Sequence, residues 1–191
     1  MKITKKRVSE SVLFNQRRKV RYEYLNSLGT MHGGDIYKIM DELAATVAEG
    51  HSGKACVTRW DEGCFIRPVL PADLLVFHAY INRSWKTSMD IGIQVHKVRF
   101  DENRRESLEL IGIRNYVFVA VDRDGKTLRV SAVVPKTKEE RTRFRMAQQR
   151  RRLRKQLAKL GDPPINPSTY STMEFVLKHK KVVQKHPAFS K

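Results

Sequence analysis

The residues best placed to do chemistry stand in one short stretch, Asn26-Ser27-Leu28-Gly29-Thr30-Met31-His32-Gly33-Gly34, followed by Asp41. Gly33 and Gly34 permit a backbone turn that other residues resist, and they let a ligand come close to the main chain. They fall where a helix begins, so their N–H groups lack intrahelical partners and can donate to an anion. A carbonyl oxygen turning into an oxyanion is one such ligand. Without context the pair also reads as ordinary turn glycines. Asp41 adds a carboxylate that can act as a base, and Ala44, Ala45 and Ala48 leave space around it. A surface aspartate paired with Lys38 or Lys54 is the plain alternative. Gly33 and Asp41 are eight residues apart, about 12 Å along a helix. They cannot both touch one reacting carbonyl within a single chain. If both are catalytic, two subunits must contribute to each site.

The elements that position these residues are legible from periodicity. From Gly34 onward, Ile36, Met40, Leu43 and Val47 recur on one helical face, with Asp35 suited to the first turn and Gly50 to the stop. Strands are expected over Lys54–Asp61, Leu74–Asn82, Ser88–Val98 and Glu109–Val121. In the third of these, Met89, Ile91, Ile93 and Val95 alternate with Asp90, Gln94 and His96. Asp122-Arg123-Asp124-Gly125 is a turn signal, and Thr127 to Val134 reads as its return strand. Successive strands without intervening helices exclude a parallel βαβ sheet, so the expected class is α+β, one long helix packed on an antiparallel sheet. Neither a GxGxxG nor a P-loop motif is present.

Charge divides the chain differently. The net charge is +18, distributed as +6 over residues 1–25, zero over 26–135 and +12 over 136–191. A neutral body, 26–135, therefore carries two basic ends, within an expected single domain over 1–135. Thr137-Lys138-Glu139-Glu140 forms a capping box, opening a basic helix expected over 136–160 and ending at Gly161-Asp162-Pro163-Pro164. Residues 161–191 receive no assignment; Tyr170 to Val183 reads as an edge strand or as disorder. No stretch approaches the roughly 18 apolar residues of a membrane span. The basic N-terminus leads into no apolar segment, so a cytoplasmic protein with Cys56 and Cys64 reduced is expected.

Taken together, Asn26 to Gly34 and the Met40-Asp41-Glu42 step resemble the hotdog-fold acyl-coenzyme A thioesterases, in the branch of the bacterial and brain-type cytosolic acyl-CoA hydrolases. The resemblance continues through Phe65, Pro68 and Asp73, Lys86-Thr87-Ser88-Met89, and Val119-Ala120-Val121-Asp122 with Gly125-Lys126, covering residues 8–140. It implies a long central helix wrapped by an antiparallel sheet, paired into a dimer with sites at the interface, and often a trimer of dimers. It implies Asn26 and Asp41 as the catalytic pair from opposite protomers, with Asp41 as general base or, in the alternative, nucleophile. Gly33 or Gly34 polarises the thioester carbonyl. Thr87 and Ser88 match the segment bordering coenzyme A, and His32 lies at the mouth. No cofactor is implied, since coenzyme A is part of the substrate. Two departures limit the transfer. Around Thr58 the spacing to Phe65 is one residue shorter than the family's, and Arg129 to Pro135 replaces a more proline-rich stretch. No binding residue is carried over from either.

Other constellations fail. Ser88 has no histidine at a supporting spacing, His51, His78 and His96 show no metal spacing, and Cys64 lacks an activating context. The expected function is hydrolysis of acyl-CoA thioesters. The alternatives are a polyanion or nucleic-acid binder, suggested by the basic ends, and a non-hydrolytic acyl-CoA sensor. The neutral body, without an aromatic-and-basic platform, disfavours the first; Asn26 and Asp41 together disfavour the second. The ends leave room for an acidic partner.

Overall fold

The computed structural model describes residues 4–159. The expected helix stop at Gly161 and the segment Tyr170 to Val183 lie outside them. The described residues form two units, 4–143 and 144–159.

The first unit is organised around helix α1 (Gly33–Ser52), which buries Ile36, Met40, Ala44, Val47, Ala48 and His51. Leu43, expected on that face, is only half-buried, and Ala44 takes its place. The helix also runs past Gly50. Its stop is Gly53, whose φ of +64° suits a glycine and whose N–H donates to the Glu49 carbonyl at 2.7 Å. Gly50 lies one turn inside.

Five strands form one antiparallel sheet in the order β2-β4-β5-β6-β3: β2 (Val12–Lys19), β3 (Cys56–Phe65), β4 (Leu74–Ser84), β5 (Ser88–Phe100) and β6 (Glu106–Ala120). Met89, Ile91, Ile93 and Val95 of β5 are fully buried, as their alternation predicts. Across the sheet, Ile91 pairs with Tyr116 and Ile81, which puts all three on the face that α1 covers. The strand pairs of β4, β5 and β6 are thus the floor beneath the helix.

Three elements depart from expectation. Strand β2 was not anticipated, and neither was β1 (Lys5–Arg7). The return strand expected over Thr127–Val134 shrinks to an isolated Val121–Thr127 bridge and a short β7 (Ala132–Val134). Strand β7 pairs in parallel with β1, so the small second sheet among the described residues is not antiparallel. His51 ties this corner together: its Nδ1 accepts from the Ser11 hydroxyl at 2.8 Å and its Nε2 donates to the Ser131 carbonyl at 3.0 Å.

Helix α2 (Lys138–Lys159) begins on the capping box, with Glu140 N–H donating to Thr137 Oγ1 (3.1 Å) and Thr137 N–H to Glu140 Oε2 (3.0 Å). Among the described residues no helix is long and apolar enough to cross a membrane.

Candidate active site

Asn26 builds the turn that leads into α1. Its Oδ1 accepts from the N–H groups of Leu28 (2.9 Å) and Thr30 (3.3 Å), and its Nδ2 donates to Thr30 Oγ1 (2.9 Å). Gly29, at φ +73°, closes the turn. Two backbone bonds then fix the next residues: Met31 N–H to the Val69 carbonyl (2.8 Å) and His32 N–H to the Tyr24 carbonyl (2.7 Å). The first ties the Asn26 turn to the segment after β3. Asp73 supports that segment, its Oδ2 accepting from Leu70 N–H (2.7 Å) and from the buried Lys97 ammonium (3.0 Å).

Between these two segments lies a cavity of about 290 Å³, lined by Thr30, Met31, Gly33, Ile36, Phe65 and residues 66–69. Its walls are largely apolar, and Arg67 reaches outward to pair with Glu109. The two expected oxyanion donors have different surroundings. Gly34 N–H donates to Nδ1 of His32, the N-cap of α1, at 3.1 Å. Gly33 N–H has no acceptor among the described residues, and Gly33 lines the cavity. At the first position of a helix, that N–H sits at the positive end of the dipole. The free donor is Gly33.

Asp41 is absent from the cavity lining. It stands two turns further along α1, half-buried, where its Oδ1 accepts from the Thr58 hydroxyl at 3.2 Å. Strand β3 runs against α1 in the reverse sense, so Phe65 lies by Gly33 and Thr58 by Asp41. Thr58 is the position that the sequence left out of the expected site because of its short spacing to Phe65. The short spacing from Thr58 to Phe65 would turn the two to opposite faces of a regular strand. A bulge at Arg59 shifts the register between Thr58 and Trp60 and returns both to the helix side. The signal was present in the threonine itself, but the bulge was not readable. Tyr116 lies nearby, buried, with its hydroxyl donating to the Tyr37 carbonyl at 3.4 Å. Burial, with the charge of Asp41 assisting, pushes its phenol well above the ordinary range, so it stays protonated.

Thr87, in the turn between β4 and β5, and Ser88, the first residue of β5, are both half-buried, and the Thr87 carbonyl accepts from Ala120 N–H (3.0 Å). Ser88 shares a row with Val119 and Val57, two strands from the start of β3 and about 10 Å across the sheet. The structure thus gathers Asn26, Thr30 and Gly33 at one end of α1. Asp41 and Thr58 stand further along, with Thr87 and Ser88 beyond. His32 is exposed at the helix mouth.

Comparison with known proteins follows the same outline. A model of the thioesterase superfamily matches residues 28–99. The chain is 30% identical over 131 residues to the uncharacterized acyl-CoA thioester hydrolase YkhA of Bacillus subtilis, covering 68% of this chain and 74% of that protein. An acetyl-coenzyme A thioesterase of Rattus norvegicus is 28% identical, and this chain spans 24% of its length. Among solved structures, an apo-hexameric acyl-CoA thioesterase superposes with a TM-score of 0.75 at 30% identity, over 82% of this chain and 98% of that one. An acyl-CoA hydrolase of Staphylococcus aureus in complex with butyryl coenzyme A, coenzyme A and coenzyme A disulfide superposes at 0.70 with 26% identity, over 93% and 99%. That hydrolase was also solved with alanine at an asparagine, at an aspartate fifteen residues later, and at a threonine seventeen beyond that.

Proposed function

The chain belongs to the hotdog-fold thioesterase superfamily, and from that premise we propose that it hydrolyses acyl-CoA thioesters at a site completed by two subunits. The observation that carries this reading is the separation of parts along α1. An unpaired Gly33 N–H faces a largely apolar cavity, while the carboxylate of Asp41 stands eight residues away on the same helix. Strand β3 is one edge of the sheet, with Val57 and Trp60 exposed. An isologous pairing of two such edges about a point near Asp61 reverses one protomer against the other. It sets Asp41 of the partner subunit beside Gly33. The spacing of Asn26, Asp41 and Thr58 equals that of the three substituted residues in the Staphylococcus aureus hydrolase, which supports treating them as one set.

In the reaction, the thioester carbonyl oxygen accepts from Gly33 N–H. Asp41 takes a proton from water as the oxygen attacks the carbonyl carbon. The tetrahedral oxyanion collapses, the C–S bond breaks, and the thiolate of coenzyme A leaves with the proton held by Asp41. Thr58 orients the carboxylate, and Asn26 shapes the turn that presents Thr30 and Gly33. His32, by occupying Gly34, leaves Gly33 as the single helix-start donor. Thr87 and Ser88 border the coenzyme. The exposed Arg141, Arg152 and Lys155 of α2 draw polyphosphates toward the protein by long-range attraction, the coenzyme's own included. Cys56 and Cys64 are free thiols, in keeping with a cytoplasmic enzyme. The test is thiol release from a series of acyl-CoAs, acetyl to palmitoyl. Turnover of at least one above the enzyme-free rate is expected, and no turnover of any refutes the reading.

A further inference from the structure

Between Gly33 and Asp41 on α1, at four residues from each, stands Tyr37, and its ring is the centre of a three-layer stack. The Phe65 ring lies parallel to it, 4.5 Å between centroids and 13° between planes. The Arg114 guanidinium lies 3.7 Å from the Tyr37 centroid. Two groups this close to one ring can only occupy its opposite faces. The order is therefore Phe65, Tyr37, Arg114, running along the groove between α1 and the sheet. Arg114 is anchored in turn by Asp61 on β3, through Nε at 3.0 Å and a second, terminal nitrogen.

Two glycines make room for the stack. A side chain at Gly63 would meet the Arg114 Cα and Cγ at 2.8 Å, so the arginine stem crosses β3 where that strand has no side chain. A side chain at Gly112 would meet Phe65 Cδ1 at 2.9 Å. Both positions are on strand pairs where any larger residue would push the stack apart.

The outer layer, Phe65, is a wall of the cavity that Gly33 also lines. We propose that this stack is the end wall of the acyl pocket and confines the enzyme to short acyl groups. The inference rests on the thioesterase reading above. A carbonyl held at Gly33 N–H sends its acyl chain into apolar space among Met31, Ile36, Phe65, Ile66 and Val69. That space, about 290 Å³, falls just under the roughly 300–1,000 Å³ typical of ligand pockets. Continuation along α1 is blocked by three stacked planes, the last held by an ion pair. The wall selects by shape and not by charge. Arg114 is already neutralised by Asp61 and screened from the cavity by two aromatic rings, so a carboxylate at the end of the acyl group gains nothing from it.

The experiment measures kcat/KM for butyryl-, octanoyl- and palmitoyl-CoA on the full chain and on Phe65→Ala, Tyr37→Leu and Phe65→Trp. Leucine at 37 keeps a strong helix former in α1 and removes the stacking plane, which guards against a result due to misfolding. Wild type is expected to favour butyryl- over palmitoyl-CoA. Phe65→Ala and Tyr37→Leu are expected to raise the palmitoyl-to-butyryl ratio about tenfold or more, the scale on which a pocket senses added methylenes. Phe65→Trp is expected to lower the octanoyl-to-butyryl ratio. A merely structural stack would lower all rates together and leave the ratios fixed. Wild type that turns over palmitoyl-CoA as well as butyryl-CoA overturns the wall, as do unchanged ratios in active variants. Absence of any hydrolysis by wild type overturns instead the reading on which the wall rests.

Discussion

Asn26 carries two duties that substitution separates. Its amide holds the turn through bonds to Leu28 and Thr30, so Asn26→Ala costs fold as well as chemistry. We expect about 1 kcal/mol of lost stability, the usual net worth of such half-exposed hydrogen bonds, visible as a lower urea midpoint. Asp41 has no such structural load beyond the Thr58 bond. Asp41→Asn keeps size and packing but cannot take a proton, and turnover should fall by about 100-fold or more with the melting temperature unchanged. Thr58→Ala removes one hydrogen bond to that carboxylate and should slow turnover by about fivefold to tenfold, the kinetic equivalent of roughly 1 kcal/mol. A Thr58→Ser variant should recover most of the loss, and failure to do so would mean that the methyl group matters more than the hydroxyl.

At the scale of the element, α1 offers a pair of opposed outcomes. Gly50 is exposed, inside the helix, with open space where a side chain would go, whereas Gly53 adopts a left-handed φ. Gly50→Ala should therefore stabilise the protein by about 0.5–1 kcal/mol, and Gly53→Ala should destabilise it by about 1 kcal/mol. Equal effects at the two sites, measured by denaturant unfolding, would contradict the helix end described above. The same end of α1 carries a pH dependence. His51 is buried, and burial holds its pKa below the ordinary value of 6.5, with Lys6 adding to the depression and the Ser131 carbonyl and Glu10 opposing it. His78 and His96 on the far face of the sheet are shifted the same way by burial. Depressed histidines are neutral in the fold but take up protons when unfolded. Stability is thus complete above pH 6.5 and declines as pH falls below it toward the folded values. Thermal melts at pH 7.5 and 5.5 should show the decline, and His51→Gln should reduce it.

For the whole molecule, the two-subunit site makes a prediction that no single-chain site shares. Asn26→Ala and Asp41→Asn subunits, each inactive alone, should regain about a quarter of wild-type activity when co-expressed, because half of randomly formed dimers carry one intact site of two. Light scattering that finds an active monomer would exclude the arrangement. The basic ends make a separate one. Neutralising Arg141, Arg152 and Lys155 to glutamine should raise KM for acyl-CoA at low salt with kcat unchanged. The difference should fade at about 0.5 M salt, where the Debye length is shorter than the distance between exposed charges and the coenzyme.

Local features were written in the chain. The apolar period of α1, the glycines at its start, Asp41 eight residues on and the alternation of β5 depend on neighbours within a few residues, and all were legible without coordinates. So was the conclusion that Gly33 and Asp41 are too far apart for one chain, because helix rise is fixed. Strand β2 was not legible, because Arg17, Arg18 and Lys19 mark an exposed sheet edge with no apolar alternation of their own, and Asn15 at φ +56° interrupts the register. Nor could spacing alone tell Gly33 from Gly34, since the choice follows from where the His32 ring turns. Thr58 joined the site through a bulge at Arg59, and Arg114 reached Tyr37 only because Gly63, distant in sequence, left the space open. Register, bulges and the room beside a glycine are set by what packs across the sheet. They are decided when the strands meet.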